Sequence, residues 1–228
     1  MLEPRGAKKA GCVLISGRKI VPEFIEAADC GVAEDGQWPG DLPQPKRVVW
    51  LDRSLFKDLD IFGTHFPLLV MNAPDLEAFE ETEPSGLEMV LSMQDPSNLG
   101  AALRSAEAFG VSRVILSKEC AYPFHPKAIR ASSGSCFRLQ LLAGPSINDF
   151  SGEHCIGFDR GGAPLDAFEW PENSRLLIGE EGQGLPENFM GKKVAIPMRP
   201  SLDSLNATIA ASIGLFSYRL THKLEEKI

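Results

Sequence analysis

The chain has 228 residues, 43% apolar and 24% charged, which fits one large α/β domain or a domain of about 150 residues with a smaller one attached, and excludes collagen, coiled coil and long disordered tails as whole-chain descriptions. A formal net charge of −8 argues against a simple polyanion binder, because phosphate contacts come mainly from Lys and Arg. No apolar stretch approaches the roughly 18 to 20 residues of a membrane span, and the run Cys12 to Ile15 is too short for a signal-peptide core, so a soluble, cytoplasmic protein is expected.

Cys12 to Ile15 and Val48 to Leu51 read as short strands and Ile20 to Ala28 as a helix, with a turn-rich stretch from Asp35 to Pro45 between them. This predicts a small α/β domain over 1–72. Its start is basic, with Arg5, Lys8, Lys9, Arg18 and Lys19 against Glu3. Residues 73–87 are rich in acids, carry Pro74 and Pro84 and hold no Lys or Arg, so they read as an acidic linker. Over 88–222 apolar runs recur at Met89 to Met93, Val114 to Leu116, Leu139 to Leu142, Cys155 to Phe158, Leu176 to Ile178 and Val194 to Ile196. Helical patterns separate several of them, which predicts a mostly parallel sheet with helices on both faces. Within this part, residues 104–138 hold Arg104, Arg113, Lys118, Lys127, Arg130 and Arg138 against only Glu107 and Glu119. Charges of opposite sign are therefore segregated along the chain.

Asn98 to Phe109 places Leu99, Leu103 and Ala106 on one face and closes at Gly110, a residue suited to a left-handed cap. The last helix, Asn206 to His222, carries Ile209, Ile213, Phe216 and Leu220 on one stripe, while Ala207, Ala210, Ala211 and Gly214 make another side small enough for close backbone approach. The tail 223–228 is charged and expected to fray.

The five cysteines lie far apart without a CxxC pair, so neither a zinc site nor a disulfide framework is suggested, and no metal site is expected. There is no GxGxxG after a strand, no GxxxxGK[ST], no HExxH and no GxSxG. Instead, three strand-to-loop junctions carry polar or glycine residues where open α/β sheets place ligands. The first runs from Met93 to Gly100 into the helix bearing Arg104; Asn98 there has the alternative reading of a helix cap, and Arg104 that of a solvated partner of Glu107. The second, Leu176 to Glu187, has three glycines whose main chain is open to a ligand, or else forms an ordinary turn before a helix. The third, Val194 to Asn206, ends in Ser204 and Asn206, either of which is also suited to capping the last helix.

Together, Asn98-Leu-Gly-Ala-Ala-Leu-Arg104, Gly179-Glu-Glu-Gly-Gln-Gly184 and Ile196-Pro-Met with Ser204-Leu-Asn206 resemble, in order and spacing, the three motifs of the SpoU branch of the SPOUT RNA methyltransferases. Pro126 to Phe137 resembles a further segment of that family, and Arg5 to Ile25 looks like the small substrate-binding domain of many members. Glu180 stands where members often have Asn or Ala, and Arg199 to Asp203 lacks the glycine they often carry.

The resemblance implies a carboxyl-terminal trefoil knot in the parallel α/β domain, a homodimer, S-adenosyl-L-methionine as cofactor, and methyl transfer to a ribose 2′-hydroxyl of rRNA or tRNA. Carried over by motif, Gly179, Gly182, Ile196 and Leu205 surround the cofactor, and Asn98, Arg104, Glu181, Ser204 and Asn206 form the reacting centre. A guanidinium offers donors only and has a pKa above about 12, so Arg104 suits gripping a phosphate and stabilising a developing alkoxide better than accepting a proton. Glu181 or Ser204 would orient it. Arg5, Lys8, Lys9, Arg18, Lys19, Lys127, Arg130 and Arg138 are the candidates for RNA backbone contacts. The competing reading is a non-catalytic RNA-binding or assembly protein that retains the fold.

Overall fold

The computed structural model describes residues 11–179 and 184–224. The first part builds a four-stranded sheet from β1 (Cys12–Ile15), β2 (Cys30–Glu34), β3 (Val48–Leu51) and β4 (Leu68–Asn72), with α1 (Ile20–Phe24) after β1 and α2 (Arg53–Leu59) after β3. The order is β1-β4-β2-β3; β4 runs antiparallel to both neighbours, and β2 and β3 are parallel. Asp52 starts α2 as a side-chain cap, its carboxylate accepting from Ser54 N at 2.8 Å and Leu55 N at 3.0 Å. The sequence reading located β1 and β3 but not β2, α2 or β4. The helix expected over Ile20 to Ala28 ends as an α-helix at Phe24, and only a turn, Ala27 N to Phe24 O at 3.2 Å, continues it.

The second part is a seven-stranded sheet: β5 (Glu77–Ala78), β6 (Leu87–Leu91), β7 (Arg113–Leu116), β8 (Leu141–Ala143), β9 (Cys155–Pro164), β10 (Ser174–Ile178) and β11 (Lys192–Ala195). Its order is β11-β9-β10-β6-β7-β8-β5, and every neighbouring pair is parallel. All six apolar runs became strands. The seventh strand, β5, lies in the acidic stretch read as a linker, which therefore also adds an edge to the sheet. β9 extends well past its apolar run, because Ala163 and Pro164, beyond a register shift, still pair with Val194 and Ala195 of β11. A Cβ on Gly162 would fall 2.4 Å from the carbonyl carbon of Lys193, so only glycine fits where the two strands shift register.

Four helices accompany this sheet: α3 (Pro96–Ala108), α4 (Pro126–Ser132), α5 (Ser135–Arg138) and α6 (Ala207–Thr221). One face of the sheet, with Met89, Leu91, Val114, Ile156, Leu176 and Ile178, packs on Leu99, Leu103 and Ala106 of α3 and Ala211, Leu215 and Tyr218 of α6. The same cluster reaches Val13 and Ile15 of the small sheet. The expectation of helices on both faces is corrected among the described residues. The opposite face, with Val90, Ile115, Leu142 and Leu177, is closed by a single 3-10 turn at Ile147–Asp149, by Phe150 and Phe189, and by Phe79 and Leu185 at the margin. Aromatic rings there fill the space a helix would occupy.

Two features concern polarity. Glu88 of β6 is wholly buried and accepts from Arg113 Nε at 2.8 Å and Arg175 Nε at 3.1 Å, while Arg175 also donates to Glu81 Oε1 and to the carbonyl of Thr82, each at 2.8 Å. Burial alone would draw the Arg175 guanidinium down; Glu81 and Glu88 outweigh it and hold it above its ordinary value. On α6 the large apolar stripe faces outward: Ile209, Phe216 and Leu220 are 52%, 54% and 67% exposed, and the small side with Ala211 and Gly214 packs inward. A Cβ on Gly214 would meet the Phe158 ring at 2.6 Å.

Candidate active site

Because the large sheet is parallel, the carboxyl ends of β6, β10 and β11 lie along one edge, where the three junctions emerge. Ser92 N donates to Ile178 O at 3.2 Å and ties the ends of β6 and β10 together. After β6, Asp95 caps α3 by accepting from Ser97 N at 2.9 Å and Asn98 N at 2.8 Å, with Pro96 in the first turn. The capping alternative for Asn98 is thereby corrected: it sits one turn inside a helix that Asp95 starts. Gly100 follows because a Cβ there would lie 2.4 Å from Ala128 O, so α3 and α4 touch through backbone.

The third junction comes to the same place. Asn206 caps α6, its Oδ1 accepting from Thr208 N at 2.9 Å and Ile209 N at 3.3 Å, while its Nδ2 donates to Asn98 Oδ1 at 3.4 Å. Thr208 Oγ1 donates to Asn98 O at 3.0 Å, and further along the two helices the hydroxyls of Ser105 and Ser212 lie 2.9 Å apart. The sequence reading missed Thr208, whose only signal is its place two residues after Asn206. Ser204 is exposed and Leu205 half-buried beside this contact, and Ile196, just past β11, is partly buried against the core.

The second junction leaves β10 at Gly179. A Cβ there would lie 2.0 Å from the Gly184 carbonyl oxygen, so the two ends of the loop close on each other through bare main chain. Gly184 adopts φ +75°, a left-handed conformation that suits glycine. Glu181 and Gly182 lie outside the described residues, as do Arg5, Lys8 and Lys9.

Arg104 is exposed on α3 and makes no hydrogen bond or ion pair to a described residue. The alternative partner, Glu107, is taken by Arg138, whose Nε and Nη2 donate to it at 2.6 and 2.9 Å. That bond, opposed by partial burial, holds the Glu107 carboxyl below its ordinary value. Arg138 also reaches Glu23 at 3.2 Å and the Ser133 carbonyl at 3.2 Å, so its donors tie helices together. Among the other cations, Arg18 stacks over Phe66 at 5.2 Å and Arg130 over Phe62 at 4.4 Å, while Lys19 and Lys127 are exposed.

Burial pushes the Cys120 and Cys136 thiols up to about 12, which disfavours the nucleophilic thiolate form. Among the described residues no group of His, Cys, Asp and Glu is arranged to hold a metal, and no helix is long and apolar enough to cross a membrane.

The profile of the SpoU rRNA methylase family matches residues 89–216, the span that holds all three junctions. The chain is 37% identical over 227 residues to a protein of Syntrophobacter fumaroxidans named ribosomal RNA small subunit methyltransferase G 2, covering 96% of this chain and 46% of that one. It thus spans about half the length of that relative. It is 24% identical to the 23S rRNA (guanosine(2553)-2′-O)-methyltransferase of Bacillus subtilis, over 92% of this chain and 90% of that one. Among solved structures, a SpoU methyltransferase from Streptomyces viridochromogenes in complex with AdoMet shares the fold with a TM-score of 0.78 at 23% identity, covering 98% of this chain and 95% of the other. With the profile spanning more than half of the chain and all three junctions on one sheet edge, this chain belongs to the SpoU rRNA methylase family.

Proposed function

We propose that the chain transfers a methyl group from S-adenosyl-L-methionine to a ribose 2′-hydroxyl of rRNA or tRNA. The observation that carries the reading is the bond between Asn206 and Asn98, which brings the first and third junctions together on the sheet edge from which Gly179 also departs. The residues fit the cofactor: Gly179 and Gly184 approach each other as bare main chain, which a Cβ would block and an adenine edge can lie against, and Ile196 and Leu205 offer apolar surface. Gly179, Gly182, Ile196 and Leu205 would hold it. When bound it supplies a methyl group on a sulfonium, open to in-line displacement.

This chain's own part is positioning and charge. Arg104, exposed on α3 and not engaged by Glu107, grips the phosphate beside the target ribose and stabilises the alkoxide that develops on its 2′-oxygen. Glu181 or Ser204 orients the guanidinium, and Asn98 with Asn206 fixes the ends of α3 and α6 so that hydroxyl and methyl are aligned. Alignment of this kind contributes on the order of 7 to 11 kcal/mol. The 2′-O-methyltransferase from Bacillus subtilis, matched over nearly its whole length, supports ribose as the acceptor.

Three further parts belong to the same reading. The outward stripe Ile209, Phe216 and Leu220 on α6 supports a homodimer built on that helix. The sheet order, with β11 outside β9 while β10 lies between β9 and β6, supports a knotted carboxyl-terminal segment. The residues up to 72 form a small RNA-binding domain joined through 73–87 to the catalytic part, and Arg18, Lys19, Lys127 and Arg130 contact RNA phosphates, with Arg5, Lys8 and Lys9 as further candidates. Arg138 contributes through the helices it ties rather than through free donors.

Titrating the chain with S-adenosyl-L-methionine in a calorimeter tests the reading against that of a non-catalytic RNA-binding protein. One site per chain, weakened at least tenfold by Gly179→Ala, is expected; no binding by the unaltered chain contradicts it.

A further inference from the structure

On the small sheet, away from the three junctions, two adjoining hollows of about 280 and 550 Å³ open between α2 and the loop 60–67. They share Glu34, Arg53, Phe56 and His65, and their combined size suits one small-molecule unit. Buried Phe56 forms the floor. Arg53 and Lys57, four residues apart on one face of α2, stand exposed at the rim and form no ion pair with a described residue. Phe66 lines one wall, and the Arg18 guanidinium, which is not part of the lining, lies over its ring at 5.2 Å.

The loop that carries this wall is held firmly. Asp60, 5% exposed, accepts from Thr64 Oγ1 at 2.9 Å and from His65 N at 2.8 Å. His65 sits at φ +49°, a conformation that costs energy outside glycine and persists only where its surroundings over-determine it. Two aromatic rings, two cations and the Glu34 carboxylate thus converge on a preformed hollow. Cations suit a phosphate, rings suit a base face, and a carboxylate accepts from an exocyclic amino group.

We infer that this hollow takes one unstacked nucleotide of the RNA substrate, with Arg53 and Lys57 on its phosphate, Phe66 and His65 against its base, and Glu34 selecting a base that bears an exocyclic amino group. The inference rests on the RNA-methyltransferase reading and adds a second point of contact that selects the substrate away from the reacting ribose. Glu34 is the specificity-determining residue; its side chain makes no hydrogen bond to a described residue, so it is available to a ligand.

The test uses the full chain and two fluorescein-labelled RNAs of about 12 nucleotides, oligocytidylate and oligouridylate, with binding read by anisotropy at fixed salt. Cytosine carries the amino group and uracil lacks it, while the two bases are equal in size. The expected result is tighter binding of oligocytidylate by about fivefold or more, a difference erased by Glu34→Gln, and weaker binding of both RNAs by Arg53→Ala. Phe66→Ala is read in parallel, with its thermal melt as a check on folding. Equal affinity for the two RNAs, no binding of either, or no effect of Arg53→Ala overturns the inference. Calorimetry with S-adenosyl-L-methionine on the same preparations reports separately on the methyltransferase reading: a chain that binds cofactor but does not discriminate the RNAs refutes the hollow alone.

Discussion

Asn206 serves two ends at once, capping α6 with its Oδ1 and donating from Nδ2 to Asn98 Oδ1 at 3.4 Å. The two roles separate by substitution. Asn206→Asp keeps the cap acceptor and loses the donor, whereas Asn206→Ala loses both. Denaturant melts are expected to show Asn206→Ala less stable by about 1 kcal/mol and Asn206→Asp close to the unaltered chain. Methyl transfer should fall in both variants; full activity in Asn206→Asp would show the contact to be structural only.

Arg104→Lys keeps the charge and loses the planar fork. Since Arg104 is exposed and makes no bond to a described residue, its replacement should leave the melting temperature unchanged. Turnover is expected to drop by about a hundredfold or more with cofactor affinity intact, as for the loss of one oriented donor at a developing oxyanion. Near-normal turnover would remove Arg104 from the reacting centre.

The Gly179 Cβ position lies 2.0 Å from a backbone oxygen, which cannot move aside as the end of a flexible side chain can. Gly179→Ala should open the loop, weaken cofactor binding at least tenfold in calorimetry, and cost about 1 to 3 kcal/mol in a denaturant melt. Gly40→Ala serves as the control, since Gly40, like Gly179, has no positive φ and a Cβ there meets nothing within 4 Å.

Glu88 is wholly buried between Arg113 and Arg175 at the sheet end opposite the site. Glu88→Gln removes the counter-charge of Arg113 and leaves the buried Arg175 paired with Glu81 alone, and should destabilise the chain by about 1 to 3 kcal/mol. Activity per folded molecule should be unchanged below the melting transition. A loss of activity at full folding would tie this network to the site.

The Glu107 carboxyl is held low by Arg138, so its charge stabilises the fold above the ordinary carboxylate range, and that contribution is lost as pH falls through the lowered value. Stability measured from about pH 5 downward should therefore decline more steeply in the unaltered chain than in Glu107→Gln. Identical slopes would contradict the pairing.

The carboxyl-terminal part was legible because its strands are continuous apolar runs, which a fully parallel sheet demands, and because its polar residues follow the strand ends. The second half of β9 escaped because Asp159, Arg160, Gly161 and Gly162 carry no apolar signal and lie in the register shift between the two stretches of β9 that pair with β11. β5 was hidden in an acidic segment, held by β8, and the neighbouring residues Glu81 and Thr82 are anchored by Arg175, a partner 90 or so residues away. On α6 the sequence reveals two faces without saying which one the sheet takes. Gly214 settles it, since only the small side lets the helix approach Phe158. The meeting of Asn98 with Asn206 joins residues more than a hundred apart, and periodicity does not report such contacts.

The most direct measurement supplies the chain with S-adenosyl-L-methionine labelled in its methyl group and with rRNA and tRNA from cells lacking this protein, then digests the RNA to nucleosides and identifies the labelled one. The account predicts a 2′-O-methylated nucleoside whose label disappears with Arg104→Lys. Label on a base, or none in RNA while the chain binds cofactor, would contradict it.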